Sequence, residues 1–221
     1  MKNILVPTNY KIDTIQALKT SVDFKQSNEV HITLLSTNAI PNSISELLFP
    51  SQWEQVDPSL RSELLKAWAL YASVTPLSRA QISEHHQHNM SRPILSGLLD
   101  QFSTDMIIVP FSFQKSKKYI ERMLLCFLSE SKLPLMLLPN DTDQVAIHRA
   151  LYLDENENPP TAVIQDFPFH VIHQSMVKSG GLQSIKAIIL KFKINLIVLA
   201  KGTERRLGQP LTDLGLPVLT I

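Results

Sequence analysis

The side chains best suited to chemistry in this chain are cations, and they fall in two groups. One is Lys115, Lys117, Lys118 and Arg122; the other is Lys201, Arg205 and Arg206. Each group follows a short apolar run, Met106–Val109 in the first case and Leu196–Ala200 in the second. If those runs are parallel strands, the cations stand at the carboxyl edge of a sheet, where open α/β folds hold ligands. The chemistry on offer is the holding of an anion, because ammonium and guanidinium groups only donate hydrogen bonds. The plainer reading is a solvated basic face, which is what most charge runs are.

A second set, Glu84, His85, His86 and His88, has the donor types of a zinc site. His86 and His88 share one face of an extended segment. No Cys lies near and no partner with ligand spacing follows, so the expectation is a polar loop after a strand, and no metal. His170 and His173 fall on opposite faces of their strand and make no pair. Ser179, Gly180 and Gly181 read as a turn and a helix start rather than an anion cradle. Cys126, the single cysteine, lies in the run MLLCFL and is expected to be a small buried hydrophobe. No Ser/His/Asp arrangement, nucleophile elbow or carboxylate pair stands in a recognisable context, so an enzyme is not expected.

Composition narrows the class. A net charge of +1 gives no global pull toward nucleic acid or membrane. One cysteine precludes an internal disulfide framework and fits a reducing compartment. The first apolar run is short and strand-like, unlike a signal peptide. No apolar run nears the roughly 18 residues a membrane span needs. The expectation is a cytoplasmic protein with no membrane partner and no specific nucleic-acid partner.

The elements that would position these groups alternate regularly. Lys2–Val6 reads as a strand ending at Pro7, and Ile12, Ile15, Leu18 and Val22 recur at helical spacing. Val30–Ser36 reads as the next strand. Asp57 and Pro58 open a helix with a stripe of Leu60, Leu64, Leu65, Trp68 and Tyr71, and Pro76 marks its exit. Ala80–Glu84 is a third strand, Ser91 caps a helix carrying Ile94, Leu95, Leu98 and Phe102, and Met106–Val109 is a fourth strand. Lys115–Ser131 reads as one helix, and Pro134–Leu138 as the fifth strand. This is the doubly wound α/β pattern with a parallel five-stranded sheet.

The polar stretch Asn140–Gln144 separates residues 1–140 from residues 145–221, and the second part echoes the first. Arg149–Leu153 with Asp154 echoes the opening, Phe169–His173 is a strand, and Leu182, Ile185, Ile188 and Ile189 are spaced as a helix. LIVLA repeats the place of MIIVP, and Gly215–Ile221 mirrors Lys132–Pro139. About one strand–helix unit is missing from this smaller, degenerate repeat. So short a sheet leaves an edge or face to cover, which predicts tight packing between the halves or a homodimer along Pro134–Leu138 or Pro217–Ile221.

With ILVPTN at Ile4–Asn9, DMIIVP at Asp105–Pro110 and SKLPLMLLP at Ser131–Pro139 in that order, the chain resembles the universal stress protein family. The resemblance covers the first half and, more weakly, the second. It implies an adenine-nucleotide α hydrolase-like fold that is usually dimeric. ATP-binding members carry Gly-x-x-Gly and a later Gly-Ser or Gly-Thr after the fourth strand, because bare backbone must approach the phosphates. Here Pro110 and Phe113 fall on the first two glycines, and the later step falls near Glu121–Arg122 or Met123–Leu124. Asn9 replaces the acidic residue after the first strand, and Asp154 or its neighbour takes that place in the second half. Only Gly202 in Lys201–Thr203 remains of the second loop.

The resemblance therefore implies a non-catalytic stress-response or regulatory protein with no cofactor and no ordinary ATP site. The alternative is a nucleotide or small-anion module with a rebuilt basic pocket. The residues to hold such a ligand are Pro7, Thr8, Asn9, Pro110, Lys115, Lys117 and Lys201. Phe111 and Phe113 are expected to fill the pocket if it is closed.

Overall fold

The structure, a computed structural model, describes residues 2–23, 30–40, 57–74, 80–140, 147–154, 170–175, 182–201 and 211–221. Nine strands follow one another: β1 (Lys2–Pro7), β2 (Val30–Asn38), β3 (Ala80–His88), β4 (Met106–Val109), β5 (Leu135–Leu137), β6 (Arg149–Asp154), β7 (His170–Ser175), β8 (Leu196–Leu199) and β9 (Val218–Thr220). The helices are α1 (Thr14–Asp23), α2 (Pro58–Val74), α3 (Arg92–Gln101), α4 (Phe111–Gln114), α5 (Tyr119–Glu130) and α6 (Leu182–Phe192), with a 3-10 turn at Leu211–Leu214. The strands form one sheet in the order β3-β2-β1-β4-β5-β9-β8-β6-β7. All neighbours are parallel except β5 and β9, which run antiparallel.

Period-2 alternation places each strand. Ile4, Val6, Met106, Ile108 and Met136 face one side with α1 and α2, while Leu5, Ile107, Val109 and Leu135 face the other with α3 and α5. The first side is a single apolar cluster running beneath both halves, since Ala150, Tyr152, Leu196, Val198 and Leu219 belong to it. The other side is divided. Leu151, Leu153, Ile197, Leu199 and Val218 form a separate cluster with Ile185 of α6 and Leu211.

Local signals account for the helix starts. The Asp57 carboxylate accepts the Ser59 amide at 2.9 Å and the Ser59 hydroxyl at 2.6 Å. Those bonds, the hydroxyl's first, hold the Asp57 carboxyl below the usual carboxylate range. Ser91 caps α3 through the Ile94 amide. Helical spacing misplaces one early residue: Ile12 is 72% exposed, because α1 begins only at Thr14 and buries Ala17, Leu18 and Val22. Leu60 in α2 is exposed as well, and Leu64 and Trp68 carry the contact.

Several other expectations change. Lys115–Ser131 is not one helix: a four-residue α4 ends at Gln114, just before Lys115, and α5 starts at Tyr119. The Lys118 amide donates to the Ser116 hydroxyl, a local turn that competes with helix. Cys126 is exposed, because α5 buries Ile120, Leu124 and Leu128 at four-residue spacing and turns Cys126 outward. Strand β3 continues to His88, paired in parallel with β2 as far as Asn38, so the histidines lie on a strand and not in a loop. Pro76, Phe169, Ser179–Gly181, Gly202, Arg205 and Arg206, and most of the irregular Ile40–Gln55 stretch, fall outside the described residues.

The two edges expected to join two copies join each other instead. Leu135 faces Thr220, Met136 faces Leu219 and Leu137 faces Val218. Each edge thereby fills the other's unpaired backbone groups, so a homodimer along Pro134–Leu138 or Pro217–Ile221 has no free strand to use.

Candidate functional site

The strand order reverses between β1 and β4, so the crevice of an open α/β sheet lies beyond the carboxyl ends of these two strands. Thr8 extends β1 by donating its amide to Leu35 O at 2.8 Å. Its hydroxyl accepts the Tyr10 amide at 2.8 Å and lies 3.1 Å from the Thr14 hydroxyl, which ties the turn to the start of α1. Tyr10 takes a left-handed backbone, φ 60°. That conformation costs a non-glycine residue roughly 1–2 kcal/mol, and burial of a large ring offsets it by about as much or more. The ring is 4% exposed and its hydroxyl donates to Glu84 Oε2 at 3.1 Å, where Arg61 Nε also donates at 2.7 Å. Burial chiefly raises the Tyr10 hydroxyl's pKa above its ordinary value.

Across the crevice, the turn after β4 is held by an internal carboxylate. Asp13 Oδ2 accepts the Ser112 amide at 2.6 Å, and Asp13 Oδ1 accepts the Ser112 hydroxyl at 2.7 Å. That hydroxyl also lies 3.1 Å from Asn9 Oδ1, so its one proton is shared between the two acceptors. Gln114 donates its side-chain amide to Val109 O at 3.1 Å and Leu138 O at 2.8 Å, closing the ends of β4 and β5. A carboxylate of the chain itself thus takes a backbone donor of the turn after β4.

The aromatic residues do not block the crevice as expected. Phe113 is fully buried among Leu5, Leu95, Val109 and Leu124 on the α3/α5 side of the sheet. Phe111 is half-buried, with Lys115 Nζ 5.7 Å from its ring centre. Glu121, in the first turn of α5, is 5% exposed, and its Oε2 has no hydrogen-bond partner. The remaining crevice, about 530 Å³, is lined by Thr8, Asn9, Lys115 and Lys117 with Glu121 among them.

Of the residues expected to hold a ligand, Thr8, Asn9, Lys115 and Lys117 therefore meet at this crevice, and Pro7 and Pro110 are buried beside it. Lys201 does not meet them. Because β9 runs against β5, the carboxyl end of β8 lies at the amino edge of the first five strands. There the Lys201 ammonium donates to Leu133 O at 2.8 Å and to Ser131 O. Partial burial lowers the Lys201 pKa from its ordinary value. It joins the two halves and belongs to no shared anion site.

Sequence reasoning missed Asp13, Ser112, Gln114 and Glu121. Asp13 and Ser112 are 99 positions apart, and no local pattern pairs them. Glu121 carried a weak signal: an acid where the resemblance places glycine or its neighbour.

The histidines of β3 divide between the sheet's faces as alternation demands. His85 packs edge-on to Phe102, ring centres 5.3 Å apart, while His86 and His88 lie together on the other face at 4.5 Å. His86 Nδ1 is 2.9 Å from the Ser36 hydroxyl. Among the described residues no cluster of three or more His, Cys, Asp or Glu side chains is placed to hold a metal. Burial first, then the charges of His88 and His85, lower the His86 pKa from its ordinary value. The unfolded chain therefore takes up this proton more readily. The resulting loss of stability is absent above about pH 6.5, grows as pH falls, and is complete below the folded-state pKa. Thermal melts between about pH 7.5 and pH 5 should show a falling midpoint, and His86→Gln should flatten that fall. An unchanged slope in the variant contradicts it.

No family model matches the sequence, and no curated protein matches it. Solved structures do match. A functionally unknown protein from Pseudomonas aeruginosa PAO1 aligns with 100% of this chain and 92% of its own at 11% identity, with a TM-score of 0.56. A provisionally named universal stress protein from another Pseudomonas aeruginosa strain aligns over 100% and 93% at 11% identity, with a TM-score of 0.53. A universal stress protein from Archaeoglobus fulgidus covers 99% and 97% at 13% identity and a TM-score of 0.49. The class defined is thus an α/β fold with a large, mostly parallel sheet and helices on both faces. Its particular form is shared with the provisionally named universal stress protein from Pseudomonas aeruginosa. Among the described residues no helix is long and apolar enough to cross a membrane.

Proposed function

We propose that this chain is a non-catalytic stress-response or regulatory protein that acts by binding, with an ATP cradle closed by its own acidic groups. The observation that carries this reading is the Asp13 carboxylate on the Ser112 amide and hydroxyl, at 2.6 and 2.7 Å. A triphosphate brought to this turn would have to displace one carboxylate and lie near a second, Glu121, whose buried Oε2 has no partner. Like charges at such spacing oppose binding strongly in a partly desolvated crevice. The rebuilt basic pocket is the weaker reading, because Lys201 stands at the opposite edge of the sheet and Glu121 offsets the lysines that remain. The reading implies no cofactor and a cytoplasmic location.

We also read residues 145–221 as a shortened copy of the first half. The strand order β7-β6-β8-β9 has the same connectivity as β2-β1-β4-β5, with no counterpart of β3 among the described residues. Such a copy would supply from within the chain the edge-to-edge joint that two separate chains would otherwise make.

Calorimetric titration of the purified chain with ATP and magnesium tests the main reading. No heat of binding is expected up to roughly millimolar nucleotide, where any interaction is worth about 4 kcal/mol or less. Micromolar affinity would refute it.

A further inference from the structure

We propose that the groove between α5 and β5 binds a small amphipathic anion, its apolar body on the sheet and its charged head against Lys117 and Arg122. This groove shares Lys115, Ser116 and Lys117 with the crevice, but its apolar floor and Arg122 are its own. The sheet face shared by α3, α5 and α6 carries two separate apolar clusters, and β5 lies at the border between them. Strand β5 is the middle strand of nine, yet Leu137 keeps partial exposure. A central strand is ordinarily covered on both faces.

Beside it lies a groove of about 660 Å³, lined by the partly exposed Leu125 and Leu137 with the buried Leu135 beneath. Its volume falls within the range of small-ligand pockets, about 300–1,000 Å³. Its walls carry Lys115, Lys117 and Arg122, and among the described residues no acidic side chain lines it. The ion pairs found among the described residues, Arg61–Glu84 and Arg92–Glu130, use none of these cations. An apolar floor beside such cations favours one ligand chemistry: a carboxylate, sulfonate or phosphate on a hydrocarbon or aromatic body. A neutral hydrocarbon would leave Arg122 unanswered, and a simple inorganic anion would leave Leu125 and Leu137 partly exposed.

The groove contains its own reporter. Cys126, the single cysteine of the chain, lines it and is exposed. Alkylation of Cys126 by iodoacetamide in the full-length chain, followed by mass spectrometry, reads occupancy directly. The probe is decanoate below its micellar concentration, beside decanol and decyltrimethylammonium of equal chain length. Saturating decanoate is expected to slow alkylation about tenfold, with little effect from the other two, and the protection should weaken as salt is raised. Lys117→Ala with Arg122→Ala should weaken decanoate protection by about tenfold or more, while Arg122→Lys retains most of it. Both side chains are exposed, and an unchanged circular dichroism spectrum confirms the fold of each variant. Equal protection by decanol or the ammonium analogue, no protection at all, or undiminished protection in the double variant overturns the proposal. So does sedimentation with phosphatidylglycerol vesicles in the absence of decanoate protection, which would make the patch a membrane-facing surface.

Discussion

Leu219→Ala is expected to lower the melting temperature of the whole chain by roughly 4–20 °C in a single transition. Leu219 is fully buried in β9, beside Met136 of β5, and both belong to the apolar cluster that runs beneath the two halves. Removing a buried leucine side chain costs about 2–5 kcal/mol, part of it lost transfer and part the cavity left behind. For a chain of this size each kcal/mol moves the midpoint by roughly 2–4 °C. The informative result is the shape of the transition. If the halves were independent domains, damage to β9 would melt the second half early and leave the first at its original midpoint. Shared sheet pairing and a shared core predict that tryptophan fluorescence, which reports Trp53 and Trp68, both in the first half, shifts together with far-UV circular dichroism. Two separated transitions in the variant, with the tryptophan signal unmoved, would sink this account.

Asp13→Ala should have the second-largest effect and a distinctive rescue. It removes two charge-assisted hydrogen bonds to Ser112. Such bonds contribute about 1.5–3 kcal/mol each when well shielded; with partial exposure the pair is worth roughly 2–3 kcal/mol. The midpoint should fall by about 4–12 °C. The vacated position would again be a turn with a free amide and no carboxylate upon it. Inorganic phosphate should therefore recover part of the loss in the variant and do little for the parent chain, in line with stabilisation by ligands that bind only the folded state. Melts with and without phosphate measure both effects. Equal stabilisation of parent and variant would show that Asp13 does not hold the anion position.

The residues that position the crevice show where pattern suffices. Val6–Pro7 and Met106–Val109 are buried in β1 and β4 where apolar runs and a terminal proline place them. Asp57, Pro58 and Ser91 start α2 and α3 through bonds made within a few positions. By contrast, the run from Lys115 to Ser131 looks continuous, and only the observed Ser116 turn breaks it. The burial of Phe113 and the exposure of Cys126 follow from the direction each side chain takes off its helix, which composition does not carry.

Order of strands and helices, the mixed α/β class and the absence of the loop glycines were all available from residues near one another in the chain, because strand and helix periods are local properties. Three things needed the folded chain: the sign of charge at the crevice, the separation of Lys201 from Lys115, and the pairing of β5 with β9. Each depends on groups about 70 to 100 positions apart meeting in space. No repeat of hydrophobicity encodes which distant carboxylate reaches a turn, or which of two free edges closes on the other.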